Sequence, residues 1–295
     1  MELYTGLIAI GLSVLALMSR PGTAVGIVIF STLIWPEYLR VGIGPAEMSA
    51  PRIIALLLVC KFVLAPRVKL PKISAVDLLV LALWLWTIFA ALLSENGPKP
   101  SRMVGAGLDT VLIYVLARIA LTTEKSVRDL ITPVALISIT MCLFGVFEAA
   151  THYSPYHQLE QYRNWVNLGD EAGQRLGFLR ARTSTSTPIF FGLAMVLLAA
   201  ILWATKSHAR HIALHWVAIA AAVLGALTSL SSGPWIGCAI LFFCNFFEKK
   251  TKYIKPMIGI SLLGILFVEV VSNRHFYHLI SYLGLSGGTA CTEQD

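Results

Sequence analysis

Charge is what this chain has little of. Asp, Glu, Lys and Arg make up 13% of its 295 residues, and 57% are hydrophobic. A soluble domain carries about a quarter charged residues. So little polar surface cannot cover a globule in water, which excludes the soluble classes and leaves a polytopic integral membrane protein. Cysteine is also thin, with five in the chain and no CxxC pair. Cys60, Cys142, Cys238 and Cys244 sit inside apolar runs, where the thiol is a small hydrophobe, and Cys291 stands alone near the end. This predicts neither a disulfide framework nor a metal site. No basic segment precedes the first apolar run, so "MELYTGLIAIGLSVLALM" reads as a retained helix and not a cleaved signal. The net charge of +7 is scattered between apolar runs, which excludes a nucleic-acid surface and makes the cations reporters of orientation.

Apolar runs long enough to cross a bilayer need roughly 17–25 residues. They fall near 3–19, 22–38, 50–66, 76–94, 103–121, 130–150, 188–205, 212–230, 234–248 and 256–272. The expected fold is therefore all-α, a single membrane domain over 1–295 with about ten spans. Proline and glycine punctuate the gaps, in "SRPG", "LPK", "ENGPKP" and "SSGP". Lys61 falls inside the third run and reaches for the nearer interface. Alternate loops, starting with the first, hold twelve Lys and Arg; the other set holds four once the one long loop is set aside. The richer set faces the cytoplasm. Both chain ends and the long loop 151–187 are then external. Trp35, Trp165, Trp203 and Trp235 lie near span ends, as aromatic belts do.

The long loop, "THYSPYHQLEQYRNWVNLGDEAGQRLGFLRARTSTST", breaks the charge rule with four arginines. Its tyrosines, Trp165 and Phe178 are not a flexible linker composition, and a short amphipathic element on the membrane surface is expected. Arg175, Arg180 and Arg182 lie beside five consecutive hydroxyl residues, 183–187, and Pro188 then opens an apolar run. Guanidinium forks fit phosphate oxygens. Thr187 or Ser186 suits an N-cap with Pro188 at the first helical position, and a helix N-terminus adds N–H donors. The grouping predicts a site for a phosphate or diphosphate with a lipid tail, bound by Arg175, Arg180, Arg182, Thr183 and Thr187. The plainer alternative is that the arginines touch lipid headgroups and the hydroxyls cap a helix.

Other ionisable residues carry weaker signals. Glu148 ends the sixth run and can meet an acceptor hydroxyl, an arginine of the loop, or water. His152 and His157 in the loop are candidate general bases or plain solvated histidines; His275 and His278 share the second reading. His208, His211 and His215 sit at helical spacing among Lys206 and Arg210, without a carboxylate or cysteine to make a metal site. Asp77 is placed at an interface, Asp109 toward the bundle, Arg118 as an anchor and Glu269 deep in the last run.

Several stretches together resemble the O-antigen ligase-related membrane domain of bacterial envelope polysaccharide proteins. "DLLVLALWLW", "LIYVLARIALTTEKSVRDLI", "GVFEAATHYSPY", "RLGFLRARTSTSTPIFFG" and "LTSLSSGPWIG" look like its successive helix starts, its Glu before the external loop, its arginine–proline–glycine junction and its second external turn. The second turn reads Ser231-Ser232-Gly233, with serine where many relatives carry arginine. The resemblance covers at least 76–247. It implies transfer or polymerisation of a glycan carried on undecaprenyl diphosphate, at the outer face of the inner membrane, with no metal, cofactor or nucleotide sugar. It also implies membrane lipids and other polysaccharide-assembly proteins as partners. The family continues through a second external segment, so the external tail 273–295 is read as truncated and the chain as an inactive member, or one whose base lies elsewhere. A transporter or flippase of an anionic or lipid-linked solute and a non-catalytic membrane subunit are the other readings. Against transport, no internal repeat or matched mid-span Gly/Pro pair is visible.

Overall fold

The computed structural model describes residues 2–36, 38–43, 46–64, 73–93, 100–162, 173–175 and 177–247. The tenth expected helix, the tail after it, Arg163 and Trp165 lie outside them. The described residues are mostly helical. Nine α-helices follow the apolar runs: α1 Glu2–Met18, α2 Pro21–Ile34, α3 Ala50–Leu64, α4 Ala75–Leu93, α5 Pro100–Ala120, α6 Glu124–Thr151, α7 Pro188–Ala204, α8 Ile212–Thr228 and α9 Ser232–Phe247. Two of them, α4 and α6, are long and apolar enough to cross a membrane; α1, α2, α7, α8 and α9 are shorter apolar helices.

The differences from expectation have local causes. α2 stops four residues early because Pro36 disfavours a helical Trp35, whose φ and ψ are −95° and 119°. An antiparallel hairpin then joins α2 to α3, β1 Arg40–Ile43 pairing with β2 Ala46–Ser49. α6 begins before its apolar run, at the polar segment 124–130. Thr123 caps it, its hydroxyl accepting the Ser126 N–H at 3.2 Å. Pro133 is therefore internal to α6 and cannot donate to the Asp129 carbonyl. The Thr23 hydroxyl on α2 supplies a donor to that carbonyl instead, at 3.4 Å.

The chain divides into two compact units. The first comprises residues 1–137, 158–166 and 202–218. Here α1, α2, α3 and α5 pack together through small residues, with Ala9, Ala16, Ala24, Ala50 and Ala55 buried. Lys61 donates to the Leu17 carbonyl at the end of α1, a cation on a helix C-terminus. Ser74 and Asp77 cap the start of α4, and Asp77 also receives the Arg118 fork at 2.9 and 3.0 Å. The large side chains of α4 stay exposed, Leu79, Leu83, Trp86 and Phe89 among them. The second unit comprises residues 138–157, 167–201 and 219–295, and it holds the candidate site.

α2 meets the start of α6 at Gly22 and Gly26, four residues apart. A Cβ on Gly22 would lie 1.8 Å from the Ser126 carbonyl oxygen, and one on Gly26 would lie 2.4 Å from the Pro133 Cβ. Small residues at this spacing let helix backbones approach closely. Gly22→Ala is expected to destabilise by about 1–3 kcal/mol or more, since backbone must move. Gly11→Ala in α1, where nothing lies within 4 Å of the new methyl, should instead stabilise by up to about 1 kcal/mol. Thermal unfolding of the two variants in detergent checks the pair; equal shifts would deny the contact.

Candidate functional site

The site is built on two loops held by closely packed helices. α6 ends at Thr151, and His152 leaves it at φ 57°, its N–H donating to the Glu148 carbonyl at 3.1 Å. This is a left-handed helix cap. The chain then folds back, with Tyr156 buried and edge-on to Phe144 at 6.3 Å between centroids. A short hairpin follows further along. β3 Gln174–Arg175 pairs with β4 Phe178–Leu179, and Gly177 turns between them at φ 80°, where a glycine carries no steric cost. α7 begins at Pro188. The Thr187 hydroxyl accepts the Phe190 N–H at 3.3 Å, so Thr187 caps the helix.

The second loop is the turn between α8 and α9. Leu230 adopts φ 46° and closes α8 with its N–H on the Leu227 carbonyl. Two glycines let the helices carrying these loops come together. A Cβ on Gly192 would lie 2.4 Å from Pro234 and 2.5 Å from the Ser229 hydroxyl, and one on Gly145 would lie 2.8 Å from Phe191. This is the physical content of the Pro188…Gly192 spacing. Ala181 bridges the loops directly, its N–H on the Thr228 carbonyl at 3.1 Å.

Arg175 and Arg180 are brought together at this turn. Arg175 donates to the Leu230 carbonyl at 3.1 Å and Arg180 to the Ser231 hydroxyl at 2.7 Å. Each contact uses one of five guanidinium N–H groups. Both partners are neutral, and among the described residues no carboxylate pairs with either arginine. The buried Nε of Arg180 has no acceptor at all. Burial, and then the neighbouring Arg175 charge, push the Arg180 guanidinium below its usual pKa, although an arginine stays charged at any relevant pH. The turn 229–233 has no cation of its own, and Arg180 brings one to it.

Arg182 and Thr183 enter differently. Their consecutive backbone N–H groups both donate to one carboxyl oxygen of Glu148, at 3.2 and 2.7 Å. Glu148 is fully buried. Thr183 sits at φ 48°, costly for a β-branched residue, and its buried hydroxyl has no partner. The Thr185 hydroxyl closes the same turn on the Arg182 carbonyl at 2.6 Å. Glu148 therefore holds the shape of the loop that carries Arg180.

Of the candidate bases, His152 and His157 have exposed rings, His157 lying against Tyr153 at 5.9 Å. Because His152 occupies a left-handed cap, His152→Gly should stabilise by several tenths to about 1 kcal/mol. Thermal unfolding of the variant in detergent checks this; an unchanged or lowered melting temperature would deny the strained cap. Neither the Glu148 anchor nor the Arg180–Ser231 contact is legible as a motif, because each joins residues far apart in sequence.

The chain matches no family model, no curated protein and no solved structure.

Proposed function

We propose that the chain is a bacterial inner-membrane protein of about ten spans that binds an undecaprenyl-diphosphate-linked glycan from the external face and transfers or polymerises it. The observation that carries this reading is the Arg175–Arg180 pair: two adjacent, half-buried guanidiniums with neutral partners only. Partly buried charges are normally compensated, and two like charges side by side raise that need. A diphosphate supplies two or more negative charges and planar acceptor edges for both forks. Membrane embedding is supported by α4, whose exposed leucines and aromatics in water would form an unusually large apolar face.

Transfer would proceed by attack of an acceptor hydroxyl on the sugar C1. The C1–O bond to the diphosphate breaks, the acceptor proton goes to a base, and the departing diphosphate takes the electron pair beside the two arginines. Electrostatic stabilisation of that leaving group would be the main contribution of the site. Buried Glu148 acts as a positioning residue, which leaves His152 and His157 as the exposed candidates for the proton. The serine in place of the family's arginine in the second turn is offset by Arg180 reaching into it.

The test is a comparison of ligands. Purified protein in neutral detergent is titrated with a polyprenyl diphosphate and with the uncharged polyprenol of equal length. The diphosphate should bind at least about a hundredfold tighter, as two charge-assisted contacts imply. Equal affinities would remove the anion site. Orientation is tested separately, in a background with its native cysteines replaced. A cysteine at His157 should react with an impermeant maleimide on intact spheroplasts, and one at Lys125 should not; the reverse would sink the external placement.

A further inference from the structure

The contact between Arg180 and Ser231 bears on how the proposed diphosphate is gripped. The side-on edge of an arginine, Nε with Nη2, presents two parallel N–H groups that match two oxygens of one phosphate. In Arg180 that edge is turned inward. Nη2 donates to the Ser231 hydroxyl at 2.7 Å, and Nε is buried with no acceptor. Ser231 is 3% exposed and donates its own proton to the Ser229 carbonyl at 3.1 Å. One neutral oxygen thus holds half of the edge, and the protein covers the other half. In this arrangement the two donors are not available to a ligand as a pair.

The seat is fixed, while the arginine is able to turn. Ser229 is fully buried and donates its hydroxyl to the Ala226 carbonyl at 2.7 Å. α7 presses on the same turn, since a Cβ on Gly192 would lie 2.5 Å from the Ser229 hydroxyl and 2.4 Å from Pro234. Leu230 is tied through its carbonyl to Arg175 at 3.1 Å. Ser231 is therefore not placed to follow a departing guanidinium. Arg180 is only half-buried, and its long side chain has rotamer freedom to reach outward.

We infer that Ser231 is a latch on Arg180: to bind the donor, the guanidinium turns its Nε–Nη2 edge from the Ser231 hydroxyl to the diphosphate. The inference rests on the diphosphate reading of the site. The exchange has a direction. The latch satisfies one N–H of the edge with a neutral oxygen, whereas a phosphate satisfies both with charged ones. An anionic headgroup therefore displaces Ser231, and a neutral one does not offset the contact it would break. Ser231 is a positioning residue that makes the site selective for charge.

The test uses the full chain in neutral detergent. Ser231→Ala should bind a polyprenyl diphosphate about tenfold tighter than wild type, because one charge-assisted contact no longer competes. It should bind the uncharged polyprenol as wild type does. Ser231→Thr keeps the hydroxyl and should stay at the wild-type value. In an Arg180→Ala background the gain from Ser231→Ala should vanish. Phenylglyoxal, which modifies guanidinium groups, gives a reading without ligand. Peptide mass spectrometry should show Arg180 reacting about tenfold faster in Ser231→Ala than in wild type, the same contact having been lost. This separates the two failures. If wild type shows no preference for the diphosphate while Arg180 becomes more reactive in Ser231→Ala, the latch stands and the diphosphate reading falls. If the diphosphate binds but Ser231→Ala holds it no tighter, or if Arg180 reacts at the same rate in both chains, Ser231 merely fastens the loop and the inference is overturned. Arg180 as reactive in wild type as the exposed Arg210 would overturn it without any variant.

Discussion

Replacing Arg175 and Arg180 together with alanine is expected to weaken binding of a polyprenyl diphosphate by about a hundredfold to ten-thousandfold. Each guanidinium removed forfeits a charge-assisted contact of about 1.5–3 kcal/mol, and about 1.4 kcal/mol is a factor of ten. The pair share one ligand, so the double variant should fall short of the sum of the singles. Arg180→Lys keeps the charge and loses the fork, and should cost about tenfold. The structural share of the loss is separable. Arg175 also stoppers the end of α8 through the Leu230 carbonyl, and Arg180 holds the Ser231 hydroxyl at 2.7 Å. Those contacts, charged on the donor side and made to neutral acceptors, contribute about 1.5–3 kcal/mol each to the fold. Binding of the uncharged polyprenol reports that part alone. A loss of equal size for diphosphate and polyprenol would make the arginines loop fasteners and nothing more. Added salt gives a second reading, because a half-buried pair is screened less than exposed loop cations.

What was legible in the sequence follows from range. α1 to α9 were visible because each is an apolar run closed by proline, glycine or a polar turn. The strand pair Arg40–Ile43 and Ala46–Ser49 was not, since two four-residue strands show too little alternation to stand out. The start of α6 was missed because "EKSVRDL" is polar, and a search for apolar runs passes over the Thr123 cap that begins it. At the site, the cluster Arg175, Arg180, Arg182 was visible as composition. Its geometry was not: Arg180 meets Ser231, and Arg182 turns its backbone to Glu148 while Arg175 turns its side chain to Leu230. Three arginines close in sequence thus take two different roles, set by partners 34 to 55 residues away. Thr187 likewise reads as a hydroxyl near a phosphate site, yet it caps α7 in the way the following proline foretells. Pairings across such separations are fixed by helix packing at Gly145 and Gly192, and a single sequence carries no record of them.

Glu148 gives the sharpest test of how the loop is held. Glu148→Ala removes the acceptor for two consecutive N–H groups, that of Thr183 buried and that of Arg182 half-buried, and the contact that holds Thr183 at φ 48° is lost. Each such contact is worth about 1.5–3 kcal/mol when the acceptor is charged; because both use one oxygen, the expected loss is about 3 kcal/mol and not twice that. It should appear as a lowered melting temperature and as faster proteolysis after Arg180 or Arg182. Diphosphate affinity should fall with it although no guanidinium has been touched, because the loop that aims Arg180 has lost its shape. Glu148→Gln leaves an amide oxygen in the same place, able to accept both N–H groups. It should restore most of the stability and of the binding. Transfer activity then decides between two roles. If Glu148 only positions the loop, Glu148→Gln keeps most of the wild-type rate, since no proton passes through it. If Glu148 takes the acceptor's proton, the same variant is folded, binds diphosphate and transfers nothing. That second result would move the base from His152 and His157 to the end of α6.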